Sequence, residues 1–374
     1  MSVFHSKTLE RIAQGDIRGL RDRVAAAGLW GISVLYAGAL RLHHTGYRLR
    51  MARRTRLEAL VVSIGNLTVG GTGKTTATIA VAQWLRERGH RVAILSRGYR
   101  GLRERQGALV SKGAGPLIDS SQAGDEPYMI ANTLPDCAVL VGKDRRMTGR
   151  HATEDLEADA LILDDGFQYQ RLEKDIEIVL VDALIPFGYD FLVPRGLLRE
   201  PPRHLARADA VWITHSDLVS DADLAVVRGQ VGRYISTDAR IWAARHKPVK
   251  VQGPDGNELA PSALRGRCVM ALSGIGNPLA FERTLEQLGA TVRARQRFPD
   301  HYSYEPQMIR NLLARELDGS DVEWIVTTEK DAVRLPSECF ELPIWVLSIE
   351  FSGMPGEPEL AEELSWLLET KAGN

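Results

Sequence analysis

Cysteine is scarce in this chain, with three residues in 374, and Cys137, Cys268 and Cys339 lie far apart with no CxxC pair. A disulfide scaffold and a thiolate metal site are thereby excluded, and reduced thiols are expected. The histidines form no cluster along the chain that would complete a metal site. Internal repeats and low-complexity tracts are absent, and with 44% hydrophobic and 25% charged residues the chain is neither fibrous nor largely disordered. Acidic residues are missing from 41–56, a stretch that carries six arginines. Long apolar runs are also rare. The one that stands out, residues 24–40, has seventeen uncharged residues and is rich in Ala and Gly, which puts it at the lower limit for a membrane-spanning helix.

The missing acids produce a charge asymmetry that the net charge of -1 conceals. Residues 1–57 hold eleven Lys and Arg against Glu10, Asp16 and Asp22, so they carry +8 and the remainder carries -9. A basic arm on an acidic body points to an anionic surface as partner, either nucleic acid or lipid headgroups. The apolar run begins late, follows mixed charge and is succeeded by arginines, which argues against a signal peptide. A helix lying in a membrane interface and a helix packed on the body are the two readings left open.

The length suits two domains. From residue 60 short apolar runs alternate with helical patterns: strands at 60–64, 91–95, 138–141, 160–163, 176–181 and 211–214, and a helix over 75–88. This alternation predicts an α/β fold with a mostly parallel sheet covered by helices on both faces. A second, smaller α/β series runs through 269–272, 291–294, 324–328 and 344–347, with an acidic helix near 358–368. The expected division is a basic N-terminal segment 1–57, a nucleotide-binding domain 58–240, a connection 241–261 marked by Lys247-Pro248 and Gly253-Pro254, a smaller domain 262–350 and a C-terminal helix 351–374.

The strongest local signal is the loop Gly70-Gly71-Thr72-Gly73-Lys74-Thr75 between a predicted strand and a predicted helix. Glycines let backbone N–H groups converge on phosphate, Lys74 can reach the β and γ phosphates of ATP, and the Thr75 hydroxyl can bind Mg²⁺. Where the general P-loop pattern has its first glycine, this chain has Thr68. Such a loop needs an acidic partner at the end of a neighbouring apolar strand, and Asp164-Asp165 supplies it, with Asp164 expected nearer the metal and Asp165 in support. Asp125-Glu126-Pro127 offers two further carboxylates, and Asp300-His301 an acid–imidazole pair.

Taken together these stretches resemble the tetraacyldisaccharide 4'-kinases, also called lipid A 4'-kinases. The matching residues are 65–75, Ser96-Arg97-Gly98-Tyr99, Gly124-Asp125-Glu126-Pro127, Val141-Gly142-Lys143-Asp144-Arg145, Asp164-Asp165-Gly166-Phe167-Gln168, Pro194-Arg195-Gly196-Leu197-Leu198-Arg199-Glu200-Pro201, Phe298-Pro299-Asp300-His301 and Thr327-Thr328-Glu329-Lys330-Asp331-Ala332. The family's loop has the same form at Thr68. The resemblance implies a P-loop NTPase-like kinase that uses ATP and Mg²⁺ to phosphorylate the 4'-hydroxyl of an acylated glucosamine disaccharide 1-phosphate at the cytoplasmic face of the inner membrane. It also implies roles. Lys74 and Thr75 hold phosphate and Mg²⁺, Asp125 is the base paired with His301, and Glu126 with Asp164 or Asp165 serves the metal. Arg97, Arg145 and Arg199 are candidates for phosphate contacts. Tyr169 stands where the family usually has histidine, and Thr76 where it often has proline.

An acylated substrate turns the basic arm toward an anionic membrane surface, with neither nucleic acid nor an obligate protein partner implied. Two other readings share the loop: a switch or partitioning ATPase, and a family member that binds nucleotide or lipid with weakened catalysis.

Overall fold

A computed structural model of the chain describes residues 11–49, 51–300, 302, 304–317, 319–336 and 342–372. Their contacts define two compact units, one running to Arg245 and resuming at Ser352, the other spanning His246–Phe351.

The first unit opens with helix α1 (Gly19–Arg48) and continues through β1 (Leu60–Asn66), α2 (Lys74–Glu87), β2 (Val92–Ser96), β3 (Ala108–Lys112), α3 (Ser120–Ala123), α4 (Asp125–Thr133), β4 (Ala138–Val141), α5 (Arg145–Arg150), β5 (Ala160–Asp164), β6 (Ile176–Asp182), β7 (Ala210–Thr214) and α6 (Asp221–Gly232). The sheet order is β7-β6-β1-β5-β2-β4-β3, parallel except for the edge strand β3, and the first residues of β8 (Arg240–Gln252) pair with β7. Strands β2 and β5 are buried along their whole length, as near-continuous Val, Ile, Leu and Ala runs demand when both faces of a sheet are covered. Full burial of each such side chain contributes roughly 1.5–3 kcal/mol. Helix α2 turns Ala77, Thr78, Val81, Ala82 and Leu85 inward, one stripe at helical spacing.

Because β1 sits between β6 and β5, the chain reverses direction across the sheet there, and ligands of open parallel sheets bind beyond the carboxyl ends of strands at that point. The pairing Ile64↔Asp164 brings the end of β5 level with the start of the glycine loop.

Helix α1 is docked along one side only. Asp22, Ala26 and Ser33 are buried, Ser33 Oγ donates to Leu192 O at 2.8 Å, and Tyr36 OH donates to Arg199 O at 3.0 Å. Leu20, Val24, Trp30, Ile32, Leu35 and Leu42 remain exposed. By length and composition α1 is able to cross a membrane; one of its faces packs on the body and the other stays apolar and open.

The second unit holds the end of β8, β9 (Glu258–Leu259), β10 (Cys268–Ser273), α7 (Pro278–Gln287), β11 (Thr291–Arg297), α8 (Pro306–Leu317), β12 (Trp324–Thr328), α9 (Glu329–Ala332) and most of β13 (Ile344–Gly353). Strands β11-β10-β12-β13 form a parallel sheet. Residues 241–261, expected as a connection, instead form β8 and its antiparallel partner β9. The Lys247-Pro248 pair reads as a turn but lies inside β8, since proline tolerates extended backbone wherever its missing N–H is not needed. Only Gly253-Pro254 begins a turn, closed by Gly253 N–H to Asn257 O at 2.8 Å.

Helix α10 (Leu360–Ala372) returns to the first unit. Glu363 pairs with Arg240 at 3.3 Å, and the Arg240 guanidinium lies 4.0 Å from the Trp366 ring.

Candidate active site

Between β1 and α2 the glycines do what their residue type permits. Gly70 at φ 126° and Gly73 at φ 81° occupy backbone regions that side chains disfavour, and Gly73 directly precedes α2. Thr72 is clamped from two sides: Asn66 Nδ2 donates to its hydroxyl at 2.8 Å, and Thr214 Oγ1 donates to its carbonyl at 3.1 Å. Thr68 forms a β-bridge with Leu198, and Val69 N–H donates to Leu197 O at 2.7 Å. The position that lacks glycine is thus extended chain, where a β-branched residue fits. Gly71 and Thr75 are half-buried in the loop and the first turn of α2, and the Thr76 hydroxyl donates to Gly73 O at 2.8 Å. No acid stands in the first turn of α2, so its positive end is open to an anion.

Beside this loop lie the paired aspartates. Asp164 is 2% exposed and accepts from Thr78 Oγ1 at 3.3 Å and Ser96 Oγ at 3.1 Å. Burial, then the charges of Glu126 and Asp165, push its carboxyl up to about 7 against the pull of Lys74. Asp165, at φ 54°, receives both terminal nitrogens of Arg199 at 2.9 and 2.7 Å and lies 3.9 Å from Lys74 Nζ. Burial works to raise Asp165, yet Arg199, Lys74 and Arg145 hold it well below the usual carboxylate range. Two adjacent acids are therefore poised oppositely, one easily protonated and one firmly ionised. The oxygens of Thr75, Asp164 and Glu126 are the hard donors that Mg²⁺ prefers, and the mutual repulsion that raises Asp164 is what a divalent cation relieves, so the residues fit that metal.

Arg145 is buried at the start of α5, its guanidinium 5.0 Å from the Tyr169 ring and its charge felt by Asp165 and Asp164. The Tyr169 hydroxyl donates to Asp144 at 2.7 Å, and burial together with that carboxylate pushes it up to about 12, so it stays a neutral donor. Arg199 Nη2 also donates to Asn66 O at 3.2 Å. Arg97, expected as a phosphate contact, is half-exposed and pairs with Glu104 at 2.6 Å. Asp125 and Glu126 form the first turn of α4 behind Gly124 at φ 92°, where a Cβ would meet Tyr99 O at 2.9 Å. That close approach packs the Gly98-Tyr99 turn against Gly124. His301, the expected partner of Asp125, lies outside the described residues. Its neighbour Asp300 pairs with Lys330 at 3.1 Å in the second unit.

Lys74 and Arg199 therefore meet on Asp165, while Asp164, Glu126 and Arg145 join them through charge. Sequence reasoning gave no role to Ser96, Thr78 and Asn66, although Ser96 and Asn66 fell in quoted motifs. It also missed Lys174, which is buried, pairs with Glu177 and donates to Gly166 O at 2.8 Å. Lys174 braces the loop after Asp165 from below. Gly65 allows the same loop to close on β1, since a Cβ there would lie 2.6 Å from the Phe167 backbone nitrogen.

The raised Asp164 has a thermodynamic consequence. Its ordinary value is 3.8 and its folded value about 7, so across that window the folded chain binds a proton that the unfolded chain releases. Stability contributed by this group is present at low pH and falls as pH rises toward 7. In the absence of metal and nucleotide, Asp164→Asn is expected to flatten that slope and to melt several degrees above the parent near pH 8, as read by scanning calorimetry. The same slope in parent and variant would assign it to another group.

A family model described as tetraacyldisaccharide-1-P 4'-kinase matches residues 25–369. A tetraacyldisaccharide 4'-kinase of Anaeromyxobacter dehalogenans (strain 2CP-C) is 44% identical over 331 residues, covering 87% of this chain and 86% of that one. The enzyme of the same description from Pelobacter propionicus is 40% identical over 335 residues, covering 88% and 90%. A crystal structure of LpxK from Aquifex aeolicus in complex with ATP is 28% identical with a TM-score of 0.69, covering 93% of this chain and 99% of that one.

Proposed function

The chain belongs to the tetraacyldisaccharide 4'-kinase family, and from that premise we propose how its own residues carry the reaction. It is an ATP-dependent kinase of lipid A biosynthesis, acting on the 4'-hydroxyl of tetraacyldisaccharide 1-phosphate. The observation that carries the site assignment is the meeting of Lys74 and Arg199 on Asp165, with Asp164 beside it at the end of β5.

The loop amides of residues 70–75 and the amino end of α2 bind the phosphates of ATP, and Lys74 adds a full charge at their far end. Thr75, Asp164 and Glu126 would hold Mg²⁺, which when bound neutralises charge on the transferred group. Asp165 keeps Arg199 and Lys74 in register, a role its firm ionisation suits. Arg145, stacked on Tyr169 and short of a partner at its Nε, is aimed for the charge that develops on the phosphoryl oxygens. Arg97 would have to release Glu104 to reach a phosphate. Asp125 accepts the proton of the 4'-hydroxyl as that oxygen bonds to phosphorus and the bond to the ADP oxygen breaks.

Association with the cytoplasmic face of the inner membrane is supported by the open apolar face of α1 and the arginines that follow it. An assay of labelled phosphate from ATP, scored as transfer to the lipid and as release to water, tests the function. Transfer that requires the lipid is expected; lipid-independent hydrolysis at a comparable rate would favour a nucleotide switch instead.

A further inference from the structure

Between the end of β2 and the start of β3 runs a loop, 97–107, that carries Arg97, Arg100, Arg103 and Arg105 against one acid, Glu104. Its backbone is pressed onto α3. Leu102 N–H donates to Ser121 O at 3.0 Å and Arg103 N–H to Gln122 O at 3.1 Å, and a Cβ on Gly101 would meet Gln122 O at 2.6 Å. Within the loop, Gly101 N–H returns to Gly98 O at 3.0 Å and Gly107 N–H to Arg103 O at 2.8 Å. A loop tied in this way holds its side chains in fixed places, and one of those it presents, Leu102, is 76% exposed, with Tyr99 exposed as well.

A single exposed leucine is ordinary on a protein surface. The charges around it in the chain are what set this one apart. Arg97 takes Glu104, the loop's one acid, at 2.6 Å, which leaves the loop with surplus positive charge. Arg103 donates to the amide oxygens of Gln106 at 3.1 Å and Gln122 at 3.5 Å, neither of which compensates a cation, and the Arg100 guanidinium lies 5.7 Å from the Tyr99 ring. Asp119, the acid at the head of α3, is engaged in capping that helix through Gln122 N–H at 3.0 Å. An apolar side chain among spare arginines suits the boundary of an anionic bilayer, where leucine meets acyl chains and guanidiniums meet lipid phosphates. A nucleic-acid strand would use the arginines and leave Leu102 in water.

The root of the loop lies in the candidate active site. Ser96, just before it, donates to Asp164, and the close approach of Tyr99 O to Gly124 sets the loop against the turn that carries Asp125. The acceptor keeps its acyl chains in the bilayer while its 4'-hydroxyl reaches Asp125, so the membrane surface must come within about the length of a sugar of Asp125 and of the loop packed beside it. We propose that loop 97–107 is a second membrane contact, with Leu102 inserted at the acyl boundary and Arg100, Arg103 and Arg105 on anionic headgroups; the inference rests on the membrane reading of α1 above. One weak signal gives reversible binding, and two hold the site in a fixed orientation over the bilayer.

The test uses the full chain with phosphatidylglycerol vesicles, and phosphatidylcholine vesicles as the neutral comparison. A nitrobenzoxadiazole label on Leu102→Cys is expected to brighten and shift to the blue when the anionic vesicles are added, while the same label on Val226→Cys, exposed on α6, stays silent. Parent chain treated with the label corrects for the native thiols. Arg103→Ala combined with Arg105→Ala should weaken binding to the anionic vesicles roughly 10- to 30-fold and leave binding to the neutral ones unchanged. Leu102→Asp should weaken both. Melting confirms that each variant folds, and the arginine variant should match the parent in turnover on acceptor held in neutral detergent micelles. A silent label at position 102 on vesicles that the chain does bind, or unchanged binding by the variants, would overturn the proposal. So would a loss of turnover in neutral micelles as large as that on anionic vesicles, which would make the loop a reader of the acceptor. Should the parent bind neither kind of vesicle, the membrane reading of α1 falls first and this one with it.

Discussion

Lys74→Ala is expected to reduce phosphate transfer to the lipid by roughly 10³-fold or more, the scale on which a preorganised charge at a transferring phosphoryl group acts. Lys74 is the first residue of α2, its side chain is only 15% exposed, and Asp165 lies 3.9 Å away. Held there, the ammonium needs little reorganisation as charge moves toward the leaving oxygen. Its removal also takes away the pull that lowers Asp164, so that carboxyl is expected to rise further and to resist giving up its proton to a metal. The fold should survive, because Arg199 keeps its paired hydrogen bonds to Asp165. Initial rates at saturating ATP, with melting as the control, decide the matter. Transfer within a few-fold of the parent by a folded variant would mean the loop is not the phosphate cradle.

Asp125→Asn should have the next largest effect, lowering turnover by roughly 10²–10⁴-fold, the usual range for a lost general base. The substitution keeps the shape of the first turn of α4 and removes only the proton acceptor. Its neighbour Glu126 stays in place, close enough to act on Asp164 by charge, so binding of ATP should change by no more than a few-fold. Single-turnover rates combined with an ATP titration separate the two quantities. A large loss of ATP affinity with little change in the single-turnover rate would move Asp125 from the proton to the metal.

How much of this was legible beforehand depends on how far apart the partners lie. Strands with uninterrupted apolar runs were read with their observed ends, as at Ala138–Val141 and Trp324–Thr328. Strand β3 was missed because Ala108–Lys112 is short, partly polar and at the sheet edge, and β8 because Pro248 resembled punctuation. Helices α6 and α8 were also missed. In the site, Lys74, Asp164 and Asp165 announced themselves through local pattern, since a loop must follow a strand and a metal-binding acid must end one. Their supports did not, apart from Arg199, which was read as a phosphate contact and not as a partner of Asp165. Thr78, Ser96 and Arg199 meet the aspartates across 86, 68 and 34 residues of chain, and nothing in a serine or threonine marks it as a hydrogen-bond partner of a carboxylate that far away. The opposite protonation tendencies of Asp164 and Asp165 were likewise invisible, because they arise from neighbours rather than from residue type. The Arg199-Glu200 pair was quoted as a motif, but its two residues face different partners, Asp165 for the first and His44 with His204 for the second.

The one-sided docking of α1 also governs how the protein behaves in a test tube. Leu20, Leu35 and Leu42 are each more than three-quarters exposed, with Val24, Trp30 and Ile32 close behind on the same helix. In plain buffer such a surface is a sticky edge that recruits other copies, and the aggregates it forms bury helices without unfolding anything. Turbidity or early elution of the purified chain then reports an uncovered helix and not a damaged enzyme, and a mild detergent that coats α1 is the remedy to try before any change of sequence.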